Sequence, residues 1–265
     1  QWEQAADSMY TLCGKDRIHP STDGHLVMAY LFLKAQGLAG KPVADIRIDG
    51  AGKKVTRSDN CRVSDLSISS DNLTFTYEAK SLPYPIDTSY YDNEKHTQAD
   101  ALSVIPFMDE MNYEGLSVSG LSDGYYGLTI GGEFIGRFTA RELERGINMA
   151  LLQNTPQYKQ AMKIRQMNEE RWLKERKMRE FYWVEYNLMR KTGMLWACNE
   201  AAVDTLRKYR PHDIFLQWNG ALWLQYMHKG IREDCVNEQQ DLVNQIYEQN
   251  KPIPLRIEIK KFTDL

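Results

Sequence analysis

Hydrophobic residues recur with two different periods along this chain, and the period changes near residue 139. Before that point, apolar residues occupy every second position of several short segments. This alternation is typical of strands that bury one face. The segments lie at residues 44–48, 63–68, 73–77, 116–118, 126–130 and 134–138. Polar and glycine-rich turns separate them, and Gly131-Gly132 is a hairpin signal, so residues 41–138 are predicted to form a β-rich region.

After residue 139 the apolar residues follow the helical period instead. Thr139 and Glu142 have the spacing of a capping box, and Thr155-Pro156 supplies the cap and first residue of another helix. Further helices are predicted at residues 156–193, 199–210 and 221–250. Alternation over residues 255–262 predicts a last strand that returns to a sheet. Residues 139–265 are therefore expected to be mainly helical with a C-terminal strand.

An amphipathic helix is also predicted near the N-terminus. Ser21, Thr22 or Asp23 can cap it, and Gly37 can end it. Its apolar residues are Leu26, Ala29, Tyr30 and Leu33. We expect this helix to bury one face against a sheet, because its apolar residues recur at helical spacing.

The residues directly before this helix include an acid and a base at a spacing that suits catalysis. Asp16 precedes His19 by three residues, and Pro20 forces the chain out of helix. A carboxylate at this distance can hold an imidazole in one tautomer while the other ring nitrogen faces a substrate. The alternative is an ordinary surface turn, because two common polar residues meet at this spacing by chance.

The longer string from Asp16 to Gly37 resembles the last conserved block of the SGNH, or GDSL-type, serine hydrolases. In that block Asp-x-x-His-Pro precedes a Gly-His pair and the closing helix of the catalytic domain. The further residues that match the pattern are Pro20, Gly24, His25, Met28, Ala29 and Gly37. The resemblance implies that His19 is the general base and that Asp16 orients it. His25 is expected to make a structural hydrogen bond.

The resemblance also implies what precedes this block in the family. There the nucleophilic serine, in a Gly-Asp-Ser-type block, and the oxyanion-hole residues come first, whereas only fifteen residues precede Asp16 and the first residue is Gln1. Ser122, in Gly120-Leu-Ser-Asp-Gly124, follows the histidine and lies between two predicted strands, so a tight turn is expected there. We therefore expect the chain to be the C-terminal portion of a longer ester hydrolase and to be inactive alone.

Together these patterns predict an α+β chain. Residues 1–40 would be the C-terminal remnant of an SGNH α/β (flavodoxin-like) hydrolase domain, followed by the β-rich and the helical regions. Residues 146–151, Gly-Ile-Asn-Met-Ala-Leu, resemble a segment that follows the β-region in some long bacterial GDSL-type proteins. For Asn148 we expect a hydrogen bond at a helix-to-loop junction rather than a catalytic role.

Composition narrows the function classes. The net charge of −3 argues against general nucleic-acid binding, and no apolar run approaches the roughly twenty residues of a membrane helix. The four cysteines, at positions 13, 61, 198 and 235, have no C-x-x-C spacing, and the five histidines form no ligand cluster. We expect no metal and no cofactor, while one or two disulfides stay open.

Two other function classes compete with the hydrolase. The first is a non-catalytic carbohydrate-binding or domain-docking module, which predicts an exposed row of aromatic residues on the β-region. Residues 83–85 and 90–91 offer aromatic contacts for a sugar, although a packed connection is the favoured interpretation. The second is a helical partner-binding protein, which requires an exposed apolar seam along residues 156–193. The tryptophans of the helical region are expected to pack in a core, with an acceptor pocket as the alternative.

The expected partner is a small-molecule or carbohydrate ester, and polysaccharide acetyl esters are the substrate class that the resemblance suggests. Lipid esters are the other substrate class; no hydrophobic lid or anchor supports them, but the sequence does not decide between the two. It leaves localisation open, with the periplasm or secretion favoured by the resemblance, and it does not determine the oligomeric state.

Overall fold

The computed structural model describes residues 11–14, 16–89 and 96–262. The chain folds as two compact units, one made of residues 1–162 with 251–265 and the other of residues 163–250. We call them the sheet unit and the helical unit. The expectation of a mixed α+β chain is confirmed, while the predicted boundaries near residues 40 and 138 stay a prediction.

The sheet unit contains two sheets. Its strands are β1 (Ala44–Asp49), β2 (Lys54–Asp59), β3 (Cys61–Ile68), β4 (Asn72–Ala79), β5 (Glu114–Ser119), β6 (Tyr125–Ile130), β7 (Glu133–Thr139), β8 (Ile147–Asn148) and β9 (Leu255–Lys261). One sheet has the order β2-β1-β5-β8, in which β1 and β5 run parallel. The other is antiparallel with the order β3-β4-β9-β6-β7.

The inner faces of the two sheets share one hydrophobic core. Ile46 and Leu116 of the first sheet belong to the same buried cluster as Phe75, Leu128 and Ile257 of the second. Strands β4 and β9 alternate buried and outward residues, which is the period that the sequence predicted. The predicted C-terminal strand is confirmed, because β9 pairs with both β4 and β6. The Gly131-Gly132 hairpin is confirmed as well, with φ values of +60° and +86°.

A buried polar cluster joins the first sheet to the elements around it. The Glu114 carboxylate, which is 0% exposed, accepts a hydrogen bond from the Tyr77 hydroxyl at 2.8 Å and lies 3.3 Å from Gln157 Nε2. Asn148 Oδ1 accepts the backbone N–H groups of Glu114 and Ala150, and its Nδ2 donates to the carbonyl of Met108 at 3.0 Å. The structural role expected for Asn148 is confirmed.

Short helices complete the sheet unit. They are α1 (Thr22–Ala35), α2 (Phe107–Glu110), α3 (Ala140–Arg145) and the 3₁₀ turns Gln98–Ser103 and Met149–Leu151. Helix α1 begins one residue after Ser21, as predicted. Its buried residues Leu26, Val27 and Tyr30 pack in a separate cluster with Ala101 and Phe107. The expectation that this face packs on a sheet is therefore wrong for the described residues, because the connection between β4 and β5 covers it.

The helical unit begins within a long helix. Helix α4 (Pro156–Val184) starts in the sheet unit and continues as the π-helix Glu185–Met189, and the next helices are α5 (Glu200–Tyr209), α6 (Ile214–Tyr226) and α7 (Lys229–Gln249). The predicted single helix over 221–250 is wrong, since the chain turns at Met227 and His228. The Arg232 guanidinium donates to the carbonyls of Tyr226 and Met227, and these bonds satisfy the end of α6.

The core of the helical unit is apolar around one carboxylate. Phe181, Val184 and Trp223 are fully buried. Glu185, 1% exposed, accepts the Trp223 indole N–H and the backbone N–H of Trp196, both at 2.8 Å. Phe181 and Val184, near the end of α4, thus belong to an intramolecular core, whereas Trp172 and Leu173 of the same helix are 46% and 44% exposed. Within the described residues no helix has the length and apolar character needed to cross a membrane.

Candidate active-site loop

A short closed loop precedes α1 and carries the predicted acid and base. Cys13 and Pro20 form an antiparallel bridge, and Ser21 donates both its backbone N–H and its hydroxyl to the Leu12 carbonyl at 3.0 Å. Inside the loop, the Gly14 N–H donates to the His19 carbonyl at 2.7 Å. The two ends of the loop are thus held together directly before the first turn of the helix.

The structure brings Asp16 and His19 into direct contact. His19 Nδ1 lies 2.5 Å from Asp16 Oδ2, while Asp16 Oδ1 accepts the backbone N–H groups of Ile18 and His19 at 2.9 and 3.0 Å. The His19 side chain is 83% exposed and that of Asp16 is 47% exposed. With Nδ1 bound to the carboxylate, the other ring nitrogen of His19 faces outward without a hydrogen bond to the described residues.

These contacts keep the Asp16 carboxyl ionised. The hydrogen bond from the His19 side chain, helped by the backbone N–H groups of Ile18 and His19, lowers the pKa of Asp16 to about 2. A carboxylate that accepts three hydrogen bonds within one turn is strongly oriented. This local geometry suits a residue that holds an imidazole in one tautomer.

Asp23, Gly24 and His96 also support the loop, and the sequence did not predict this role for them. Asp23, fully buried, accepts the Ser21 hydroxyl and the Gly24 N–H, and His96 Nδ1 lies 3.8 Å from its second oxygen. A Cβ on Gly24 would lie 2.0 Å from the Leu12 carbonyl oxygen, so only glycine allows the loop to approach the helix this closely. The Ser-x-Asp-Gly order was the only signal for this support in the sequence.

The other candidates of the sequence lie apart from this pair. His25 is exposed on the first turn of α1 and makes no side-chain hydrogen bond to the described residues, so its expected structural bond is not found there. Ser122 lies in the β5–β6 turn, where its hydroxyl contacts the Tyr126 hydroxyl and Lys261 Nζ. Among the described residues no serine hydroxyl bonds to His19.

The cysteines and acidic residues form no metal site in the described part of the chain, where no three His, Cys, Asp or Glu residues are grouped for a metal ion. All four cysteines are free thiols. The disulfides left open by the sequence are therefore absent, and the fold of each unit depends on its packing and hydrogen bonds.

One family model matches part of the chain. Residues 162–251 match the diltiazem deacetylase C-terminal helical domain. This match has almost the same limits as the helical unit, residues 163–250. The predicted helical part of the chain is thus similar to a domain found in deacetylases of this kind.

A solved structure extends the similarity over nearly the whole chain. It is a gut microbial diltiazem-metabolizing enzyme, 40% identical in sequence, and it superposes with a TM-score of 0.93. The match covers 99% of this chain and 59% of that enzyme. The chain therefore spans less than two thirds of the length of this relative. A comparison with curated proteins finds no match.

Proposed function

We propose that this chain supplies the acid–base half of an SGNH-type ester hydrolase, with Asp16 and His19 as the working pair. The observation that carries the proposal is the 2.5 Å contact between Asp16 and an exposed His19 whose second ring nitrogen is open. The nucleophilic serine and the oxyanion donors would come from residues that precede this block in the complete enzyme.

In the proposed reaction, His19 Nε2 takes the proton of the serine hydroxyl as its oxygen attacks the acyl carbonyl. The same nitrogen then gives that proton to the leaving alcohol, and an acyl-serine forms. Water attacks the acyl group in a second round, in which His19 again accepts and returns a proton. The Asp16 carboxylate holds the imidazole and stabilises its charged form in both rounds.

The comparisons support this reaction class. The helical unit matches a domain named for a deacetylase, and the solved relative is named for metabolism of diltiazem. Removal of an acetyl group from an ester is the chemistry that a Ser-His-Asp site performs. We therefore propose an acyl ester, with acetyl esters first, as the substrate class of the complete enzyme.

A second, exposed apolar face of α1 supports the proposed SGNH domain. Met28, Leu31 and Phe32 are 58%, 56% and 65% exposed, at helical spacing opposite the face that packs on Ala101. A helix that is apolar on both sides is normally covered on both sides. A catalytic α/β domain that packs on this face would place its serine beside the loop that carries His19.

The sequence left a non-catalytic binding module as the alternative. The loop proposed for sugar contacts is a packed connection around Tyr84, which stacks edge-on against Phe107 and accepts a hydrogen bond from Gln98. Tyr90 and Tyr91 lie outside the described residues. A binding module alone gives no reason for the aligned Asp16–His19 pair, so hydrolysis is the better proposal for this loop.

The decisive experiment is an esterase assay on the longer protein that contains this chain. A short-chain aryl acetate serves as substrate, with His19→Ala as the test variant and His25→Ala, six residues away and also exposed, as the matched control. We expect His19→Ala to lower kcat/KM by at least about a thousandfold, as for a triad base, and His25→Ala to stay within about twofold.

The 265-residue chain itself is expected to be inactive in the same assay. Equal losses in the His19→Ala and His25→Ala proteins would show that a general loss of folding, and not His19, explains the result. Full activity of His19→Ala would overturn the proposal.

A further inference from the structure

The outward face of the five-stranded sheet carries a row of aromatic side chains around one arginine. Tyr125, Phe134 and Phe262 are 48%, 59% and 43% exposed. The Arg137 guanidinium lies 3.8 Å from the ring centre of Tyr125 and 5.3 Å from that of Phe262. Phe134 and Phe262 meet edge to face with their ring centres 6.5 Å apart. We call these four residues the aromatic row.

The register of the strands builds this row. On β6, Tyr126 and Leu128 point into the core, so Tyr125 and Gly127 point outward. Gly127 pairs with Arg137 on β7 and with Lys260 on β9. A Cβ at Gly127 would lie 3.1 Å from the Phe134 ring and 3.2 Å from the Phe262 ring, so the glycine gives both rings room above the sheet.

Two cations of this face have no acidic partner among the described residues. Arg137 and Lys260 form no ion pair with the described residues, whereas Arg62 on the same sheet pairs with Glu78. Glu258 lies two residues before Lys260 on β9 and therefore on the same outward face of the sheet. A guanidinium stacked on rings keeps the N–H groups at its edge free for a planar anion such as a carboxylate.

Cross-strand packing alone does not account for these side chains. Aromatic pairs do stabilise neighbouring strands, but here about half of each ring remains in solvent. Single exposed apolar residues need no explanation, whereas a contiguous group beside unpaired cations is typical of a binding surface. Tyr125 and Phe134 lie in the β-region, where the binding-module alternative predicts exposed aromatic residues, and Phe262 adds to them from beyond that region.

We propose that the aromatic row and Lys260 bind an acidic polysaccharide. The C–H faces of its sugar rings would pack on the exposed aromatic rings, and uronate carboxylates would bind Arg137 and Lys260. The row contains four side chains, whereas each partner in a stable protein interface contributes about 20–30 residues. Affinity for a nucleic acid depends on many cationic contacts, whereas this site offers two cations, Arg137 and Lys260. This site is independent of the ester hydrolysis proposed above.

Calorimetric titration of the 265-residue protein tests the proposal. The probe is a purified oligogalacturonate, and a neutral galactose oligomer of equal length is the comparison. The test variants are Arg137→Gln, Lys260→Gln and the double variant Tyr125→Ala/Phe262→Ala. The matched control is Tyr247→Ala, because Tyr247 is a 73% exposed tyrosine on α7 in the helical unit.

We expect the acidic oligomer to bind more tightly than the neutral one. Arg137→Gln and the double variant should each weaken binding at least about tenfold, which is the usual effect of losing one charge-assisted contact, while Tyr247→Ala leaves binding unchanged. Thermal unfolding of each variant checks the fold. Arg137 and Lys260 are exposed, so the Arg137→Gln and Lys260→Gln variants still test the proposal if the double variant unfolds.

Three outcomes would overturn the proposal. They are no binding of oligogalacturonate, binding that none of the variants weakens, and tighter binding of single-stranded DNA that Arg137→Gln abolishes. The last result would assign the surface to nucleic acid.

Discussion

Glu114 is a fully buried carboxyl whose environment disfavours its charged form. Burial raises the pKa of Glu114 to about 7 from its usual 4.5, against the lowering effect of the hydrogen bonds from Tyr77 and Gln157. The folded protein therefore holds this proton more tightly than the unfolded chain. Below pH 4.5 the carboxyl is protonated in both states, so its stabilising contribution is complete there and is lost as the pH rises to about 7.

We expect the free energy of unfolding of the sheet unit to fall by ~3 kcal/mol between about pH 4.5 and pH 7 because of this one group. Glu114→Gln should remove that decrease, since the amide stays neutral. The N–H groups of the new amide can also donate to Gln157 Oε1, which is buried and has no hydrogen-bond partner among the described residues. Urea unfolding at a series of pH values measures the slope.

Glu144→Gln is the matched control, because Glu144 is exposed on α3. This variant should keep the wild-type pH dependence. A Glu114→Gln protein with the same slope as wild type would show that other groups cause the decrease.

At the scale of elements, the junction of the loop with α1 depends on a glycine. The Leu12 carbonyl occupies the place of a Gly24 Cβ, and Pro20 Cβ lies 3.3 Å from the same position, so there is little room to adjust. Gly24→Ala should therefore move the loop that carries Asp16 and His19. We expect a loss of about 1–3 kcal/mol in unfolding free energy and a lower kcat of the longer enzyme in the aryl acetate assay.

Gly230→Ala provides a close control for that change. Gly230 is the second residue of α7, and nothing lies within 4 Å of a Cβ built there. Alanine at this site should leave stability unchanged or raise it by up to about 1 kcal/mol. If Gly24→Ala also left the free energy of unfolding unchanged, the close approach of the Leu12 carbonyl would not restrict this position to glycine.

At the scale of the whole molecule, the last strand completes the sheet unit. Leu255, Ile257 and Ile259 are buried in the shared core, and β9 pairs with β4 and β6. A chain that ends at residue 250 loses these side chains, each worth about 2 kcal/mol, together with both ladders. Because small domains are stable by only about 5–15 kcal/mol, we expect the sheet unit to unfold.

Hydrogen exchange read by mass spectrometry tests this expectation, since the amides of β4 and β6 should lose their protection. A chain that ends at Phe262 keeps β9 and is expected to retain protection. Persistent protection in the shorter chain would mean that β4 and β6 pair by themselves.

The sequence by itself determined what depends on neighbours along the chain. Strand alternation, the capping box at Thr139 and the Asp16–His19 pair are readable because the atoms involved lie within a few residues of each other. The helix break at His228 was missed since the Arg232 contacts that stabilise it depend on side-chain direction.

Only the tertiary structure decided what depends on distant residues. It placed β9 between β4 and β6, covered α1 with residues from the connection before β5, and buried Glu114 against Tyr77 and Gln157. It also joined residues from β6 and β7 and the residue that follows β9 into the aromatic row. Such contacts arise when strands pair in one register among many, and a period of two along one strand does not specify its partners.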